Sequence, residues 1–527
     1  MKTLLLLILI TSTSIYAQSY QFEVIFKDKD SAKYATSIPT DFLTSKSIAR
    51  KNKHLVPITV NDYPVNSSYL DSLNKHFNVR VVSKWFNLSV VQTNDSLSID
   101  TLKNFPFVAS FKFIGKSGFS VSRTKTGTTE IDYGVASTAV NQLKGEYLHS
   151  NNLLGEGITI AILDAGFTNV NNMDIFTPLY SELRILAEKN FISPSNDIYG
   201  FNVHGTQVLS VLAGNKDGEY VGSAPKANYI LLITEDVREE NLIEEYFWTQ
   251  GAEYADSLGA DIISSSLGYN TFDTKSFDHL QSELGKTTAM VSKGARSAVQ
   301  KGMLVVNSAG NEGESPWEHL LFPADEELVL TVGAVNSQGN HVNFSSTSPP
   351  GLGFVKPNVA ALGEQISISS SNGIYENANG TSFACPIISG LAACLWQAYP
   401  DKNQLEIKTI IEQSAHQYNS PDNLIGYGIP NFSQTIENIS LQYKQVYSTT
   451  LFPNPTSNSK LTLKHQFNDS ILNIELFDYT GKQMKTVLFE KINSETIGIT
   501  LPTIQQGSYF LTFITEAGLF QKQLIVN

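Results

Sequence analysis

Cysteine is scarce in this 527-residue chain, with Cys385 and Cys394 the only two. Both fall in one stretch of helical character, and nine helical residues advance the chain by roughly 13 Å, beyond the reach of a disulfide. A disulfide framework is excluded, and so is a zinc site, whose ligands would have to be more clustered. The two are expected as buried thiols. Long apolar runs are missing as well, so no membrane-spanning segment of about 20 apolar residues is expected. Positive charge is in deficit, with 37 Lys and Arg against 50 Asp and Glu and a formal net charge of -13. That balance argues against nucleic acid as a partner, because phosphate-tracking surfaces concentrate Lys and Arg.

What is present describes a folded, exported protein. A composition of 41% hydrophobic and 17% charged residues is that of a globular chain, and the length exceeds what a single core supports. Lys2, the apolar run from Leu4 to Ile10 and the small Ala17 before Gln18 read as a targeting signal over 1–17. Residues 18–128 alternate strand-like runs (22–26, 79–82) with helical patterns (68–76, 97–105), a compact α+β unit that ends in a Ser, Thr, Gly and Lys-rich linker at 116–129. Over 129–440 apolar strands (158–163, 229–233, 261–265, 303–307, 329–335) alternate with helices (241–257, 289–300), the rhythm of a parallel α/β sheet whose sites form beyond the strands' carboxyl ends. Short alternating strands over 446–527 (460–463, 473–477, 508–514, 520–525) predict a C-terminal β-sandwich.

Four elements at those strand ends carry chemistry. Asp164 closes an apolar strand and begins Asp164-Ala165-Gly166; His204-Gly205-Thr206 opens a buried helix. Ser382 lies in Gly380-Thr381-Ser382-Phe383-Ala384-Cys385-Pro386 ahead of an apolar helix, with Pro386 expected in its first turn. Asn311 follows a strand in the small-residue loop Asn307-Ser308-Ala309-Gly310-Asn311. Singly, each has a plain structural explanation: a turn Asp, a helix-start His, a helix-cap Ser, a turn Asn. Together they supply a nucleophile, a base, an orienting carboxylate and an oxyanion donor.

These motifs resemble the subtilase (subtilisin-like) family of serine peptidases, in the order Asp164, His204, Ser382, with Asn311 at the family's oxyanion position. Gly222-Ser223-Ala224-Pro225 resembles the family's turn before a central strand. Ser265, Ser266, Leu267 and Gly268 resemble its substrate-lining strand, with Ser308, Ala309 and Gly310 across the cleft. The family's usual Asp and Pro are replaced at Asn358 and Leu362. The resemblance implies a subtilisin-like, mostly parallel sheet with helices on both faces, preceded by a ferredoxin-like inhibitory propeptide. It implies a serine endopeptidase acting on protein or peptide substrates and bound by its own propeptide, with no cofactor required for the chemistry. A structural calcium site is compatible with this, though its ligands do not stand out. Leu451-Phe452-Pro453-Asn454-Pro455 and Gly507-Ser508-Tyr509-Phe510-Leu511 resemble the sorting domains of the type IX secretion system of Bacteroidetes, whose machinery becomes an expected partner. The competing expectation is a surface-binding protein on a catalytically silent subtilase scaffold.

Overall fold

The computed structural model describes residues 20–29, 33–93, 98–115, 132–436 and, with short interruptions, 449–526. The expected targeting signal at 1–17 and linker at 116–129 lie outside the described residues. The chain divides after Ser433 into two compact units.

The first unit opens with four strands, β1 (Tyr20–Phe26), β2 (Asn78–Ser83), β3 (Leu88–Thr93) and β4 (Val108–Gly115). They form an antiparallel sheet in the order β2-β3-β1-β4, the ferredoxin-like arrangement. Helix α2 (Ser67–Leu73) connects β1 to β2, and the second helical stretch is a 3-10 segment, Ser98–Asn104. Phe22, Val24, Phe26, Leu73, Phe77 and Leu102 build its core. Helix α1 (Ser45–Lys53) precedes α2 and is too rich in charge to stand out as an apolar stripe.

A seven-stranded sheet dominates the unit: β5 (Thr159–Asp164), β6 (Ile185–Asn190), β7 (Asn228–Ile233), β8 (Ile262–Ser265), β9 (Leu304–Ser308), β10 (Leu330–Val335) and β11 (Val359–Leu362). Their order is β11-β10-β9-β8-β5-β7-β6, and every neighbouring pair is parallel. Strands β5, β8, β9 and β10 are buried along their whole length, as expected of a sheet covered on both faces. On one face Ala161, Leu163, Ile263 and Val305 pack with Trp248, Ala252 and Ala295. Those last three come from α4 (Ile243–Leu258) and α5 (Met290–Gln300). Across the sheet lie α3 (His204–Ala213) and α6 (Thr381–Ala398). A Cβ on Gly390 of α6 would fall 2.0 Å from Ser223 Oγ, so only glycine lets this helix pass so close to the Gly222–Pro225 turn.

The N-terminal sheet is docked on the far end of α4 through buried charge. Arg50 and Lys51 of α1 reach Asp256; Lys51 Nζ lies 2.8 Å from Asp256 Oδ1 and 3.4 Å from Asp62 Oδ1, and Lys301 Nζ lies 2.7 Å from Asp62 Oδ1. One turn earlier in α4, Glu253 accepts from Ser83 Oγ (2.5 Å), Lys84 N (2.7 Å) and Trp85 N (3.1 Å). Burial alone would raise the Asp256 and Asp62 carboxyls, yet the lysines and arginine around them hold both below the ordinary carboxylate range.

In the second unit, Thr449–Phe452, Lys460–His465, Thr496–Thr500 and Leu488–Asn493 form one four-stranded sheet. Gln483–Thr486, Ile471–Asp478, Gly507–Thr515 and Gly518–Val526 form the other. Leu461, Leu463, Ile497 and Ile499 of the first share one core with Ile474, Leu476, Leu511 and Phe513 of the second, giving the expected sandwich.

Removing one member of a buried charge cluster strands its partners. In a Ser382→Ala background, Asp256→Asn is expected to destabilise the full chain by roughly 3–5 kcal/mol in thermal or urea melts. Asp261→Asn, whose partner Lys46 is 38% exposed, is expected to cost about 1 kcal/mol or less. Equal effects of the two substitutions would refute the anchoring role of Asp256.

Candidate active site

Strand β5 runs through the middle of the sheet and delivers Asp164 at its carboxyl end with no solvent exposure. Asp164 Oδ1 accepts from Ala165 N (2.7 Å) and from His204 Nδ1 (2.8 Å), while its buried Oδ2 has no donor among the described residues. Helix α3 starts at His204, whose backbone N–H donates to Asn202 Oδ1 at 2.8 Å. A Cβ on Gly205 would meet Gly166 O at 2.5 Å and Asp164 Cβ at 3.1 Å, so the bare residue after the histidine lets the helix start sit directly on the strand end.

The imidazole is 28% exposed and the carboxylate fully buried. With Nδ1–H committed to Asp164, Nε2 is left as the acceptor. Burial depresses the imidazole's proton affinity, but the charge of Asp164 and its hydrogen bond outweigh burial and raise His204 above the ordinary histidine value.

Helix α6 begins at Thr381, so Ser382 occupies its first turn, where backbone N–H groups lack intrahelical partners. Ser382 Oγ donates to Ser266 O at 3.4 Å, and Ser266 Oγ donates to Ser382 O at 2.7 Å. Pro386 is inside the helix rather than in its first turn. It has no N–H to offer the Ser382 carbonyl four residues back, and the Ser266 hydroxyl takes that acceptor instead. The rings of His204 and Phe383 lie 5.9 Å apart, which brings the start of α6 beside the imidazole. No hydrogen bond joins Ser382 to His204.

Asn311 is exposed just beyond β9. Its Oδ1 accepts from Thr381 N (2.9 Å) and Thr381 Oγ1 (3.0 Å), so the amide is turned with its Nδ2 donors uncommitted. Thr381 Oγ1 also accepts from Gly310 N at 3.2 Å, tying this loop to the start of α6.

Residues 155–428 match the Subtilase family, more than half of the chain. The chain belongs to that family. Residues 21–130 of this subtilase match the Peptidase S8 propeptide domain of Bacteroidota, and residues 450–527 a Secretion system C-terminal sorting domain, which marks the protein for export to the cell surface or the medium. Subtilisin E of Bacillus subtilis is 28% identical over 280 residues, covering 52% of this chain and 65% of that protein's length. The Thermostable alkaline protease of Halalkalibacterium halodurans is 25% identical over 390 residues, 74% of this chain and 93% of that one. MycP1 from Mycobacterium smegmatis, a solved structure, is 23% identical with a TM-score of 0.46, covering 61% of this chain and 89% of that one.

The residues expected to line the subtilase cleft divide into two groups. Ser265 does not reach a substrate: β8 is paired on both sides, to Leu163 and Asn307, and Ser265 Oγ accepts from Trp248 Nε1 at 2.9 Å. Ala309 is closed off as well, its N–H given to Val332 O and its carbonyl taken by Leu321 N. Ser308 is buried in β9. Ser266, Leu267 and Gly268 continue past the strand end, where Leu267 O accepts from Asn307 Nδ2 at 3.0 Å and Gly268 makes no hydrogen bond among the described residues. Gly310 lies opposite, with φ +109°.

Both cysteines are buried free thiols. Asn358, at a departure from the family pattern, accepts from Thr331 N (2.8 Å) and donates to Glu412 Oε1 (2.8 Å). Glu235, Glu240 and Glu244 bring carboxylate oxygens within 4.8 Å of one another. Burial, then repulsion from neighbouring carboxylates, raises all three: Glu240 acts on Glu235, Glu235 and Glu240 act on Glu244, and Asp273 acts on Glu240, which is raised to about 7. Sequence reasoning missed Thr381, Ser266 and Asn202 as positioning residues, although Thr381 and Ser266 stood inside the quoted motifs.

The raised His204 value means that the stabilisation from this pair is complete below the unfolded histidine's pKa and is lost as pH rises through the folded one. Asp164→Asn removes the charge and leaves burial, so His204 is expected to titrate at lower pH than in the parent. NMR of the imidazole in a Ser382→Ala background, assigned by the resonance lost in His204→Gln, measures this. An unchanged titration would show that Asp164 does not set the base.

Proposed function

We propose that this chain is a secreted serine endopeptidase that hydrolyses peptide bonds through Ser382, His204 and Asp164. The observation that carries the reading is the 2.8 Å bond from His204 Nδ1 to the buried Asp164 carboxylate, with the Ser382 helix start packed beside the same ring. His204 Nε2 takes the Ser382 hydroxyl proton as Oγ attacks the peptide carbonyl carbon, and Asp164 stabilises the imidazolium that forms. For this the hydroxyl exchanges Ser266 O for the imidazole, a bond that tightens only with substrate in place. The oxyanion is met by Asn311 Nδ2 and the Ser382 backbone N–H, both preorganised by the start of α6. The proton then passes to the leaving amine, and water reverses the sequence on the acyl-enzyme. Every step uses a group the chain supplies, without a cofactor.

The substrate backbone pairs as a strand beside Ser266 to Gly268, where Gly268 has backbone groups to spare. The N-terminal domain acts as the enzyme's own inhibitory propeptide, released by cleavage in the 116–129 linker. The C-terminal sandwich is read by the type IX secretion machinery.

Ser382→Ala is expected to abolish both hydrolysis of a casein substrate and labelling by a fluorophosphonate probe. Asn311→Ala is expected to keep labelling but lower kcat by roughly 10²–10³-fold. Full activity of Ser382→Ala would end the peptidase reading. Deletion of residues 449–527 is expected to leave active enzyme within the cell envelope, as judged by fractionation; undiminished release to the medium would refute the sorting role.

A further inference from the structure

On the peptidase reading, the scissile carbonyl lies between Ser382 Oγ and the Asn311 amide. The substrate side chain on the residue contributing that carbonyl, the P1 residue, then enters the space between Ser266, Leu267 and Gly268 on one wall and Gly310 on the other. A third segment closes the bottom of this space. Leu321 N donates to Ala309 O at 3.0 Å, Phe322 N donates to Tyr269 O at 3.0 Å, and Tyr269 N donates to Phe322 O at 2.9 Å. Residues 320–322 are thus laced by backbone hydrogen bonds to the continuations of both walls, which holds the Leu321 backbone, and with it the root of its side chain, in place.

That side chain lies between the two glycines. A Cβ on Gly268 would fall 2.7 Å from Leu321 Cβ and 2.9 Å from its Cδ1; one on Gly310 would fall 2.7 Å from Leu321 Cγ and 3.1 Å from its Cδ1. Carbon atoms in contact settle at about 3.5–4.0 Å, so the leucine packs against bare glycine on both sides. At Gly310 the left-handed φ of +109° independently calls for glycine. The width that two glycines would open for a large substrate side chain is already taken up by Leu321. The leucine is only partly buried, so its remaining surface forms the floor that an incoming side chain meets.

The geometry points to Leu321 as a specificity-determining residue for P1: it fills the pocket floor, and the enzyme takes alanine, serine or glycine there in preference to phenylalanine, tyrosine or leucine. A large side chain would have to displace a leucine whose backbone is hydrogen-bonded to one wall and whose neighbour is bonded to the other. Trimming the leucine removes the obstacle without touching the nucleophile, the base or the oxyanion donors.

The test compares kcat/KM for two peptides that differ only at P1, alanine against phenylalanine, in the wild-type full chain and in Leu321→Ala. Rates are normalised to the sites titrated by a fluorophosphonate. Wild type is expected to favour alanine by at least about 10-fold, and Leu321→Ala to raise the phenylalanine-to-alanine ratio by roughly 10–200-fold, the range that pocket methylenes command. If Leu321→Ala does not fold, Leu321→Val is expected to move the ratio in the same direction by a smaller factor. Mass-spectrometric mapping of cleavage sites in a denatured protein digest reads the wild-type preference with no variant at all. Labelled wild type that cuts after phenylalanine as readily as after alanine, or a labelled variant with an unchanged ratio, overturns the pocket assignment alone. Absence of labelling together with absence of all cleavage overturns the peptidase reading, and the pocket with it.

Discussion

A buried carboxylate at the end of a central strand is the constraint on which the site depends. Asp164 has no solvent exposure and spends one oxygen on both Ala165 N and His204 Nδ1. A charge so placed is costly unless compensated, and among the described residues the imidazole is the only side chain that donates to it. The pair therefore fixes the ring's orientation and tautomer, and it raises the ring's proton affinity against the pull of burial. Everything else at the site is arranged around a ring held in that way. Gly205 brings the helix start down to the strand, Asn202 caps the His204 backbone, and Phe383 sets the next helix beside the ring.

The second constraint is a proline. Pro386 deprives α6 of the hydrogen bond that would occupy the Ser382 carbonyl, and Ser266 fills the gap while its own carbonyl receives the Ser382 hydroxyl. The segment after β8 is thereby bonded to Ser382 at both its carbonyl and its side chain. Thr381 does the equivalent on the other side, gripping the Asn311 amide oxygen and the Gly310 N–H. Adjacent residues of one helix turn thus hold both walls, which explains how a site assembled from distant parts of the chain keeps its shape.

Much of this was legible in the sequence, for a physical reason: strands buried on both faces must be apolar throughout, and their carboxyl ends are where a parallel sheet exposes functional groups. The expected strands at 158–163, 229–233, 261–265, 303–307 and 329–335 each meet an observed one within one residue at either end. What escaped was structure that pays its way through distant partners. Strand β6 lies at the sheet's edge and carries Glu188 and Lys189, so it lacks the apolar signature. Helix α1 looks like solvent-facing charge, yet Lys51 is buried against Asp256, 205 residues away. The motif around Ser265 predicts a cleft residue, whereas its strand position leaves it between two neighbours. Leu321 carries no motif, and only the glycines opposite it reveal what it occupies.

The presence of Cys385 one turn after Ser382 raises the question of why the thiol, the stronger nucleophile in its ionised form, does not compete. Its sulfur lies under the helix against the sheet, 3.4 Å from Ser265 O and 3.5 Å from Val306 O, both of which can only accept. An S–H held between two carbonyls gains nothing from losing its proton, and burial pushes the thiol up to about 12. Ser382 is in the opposite condition: it is partly exposed and, on the proposed mechanism, gives its proton to His204. Three residues on one helix therefore separate a group kept neutral from the group proposed to lose its proton, and the separation comes from which face of α6 meets the sheet rather than from the intrinsic acidity of either side chain.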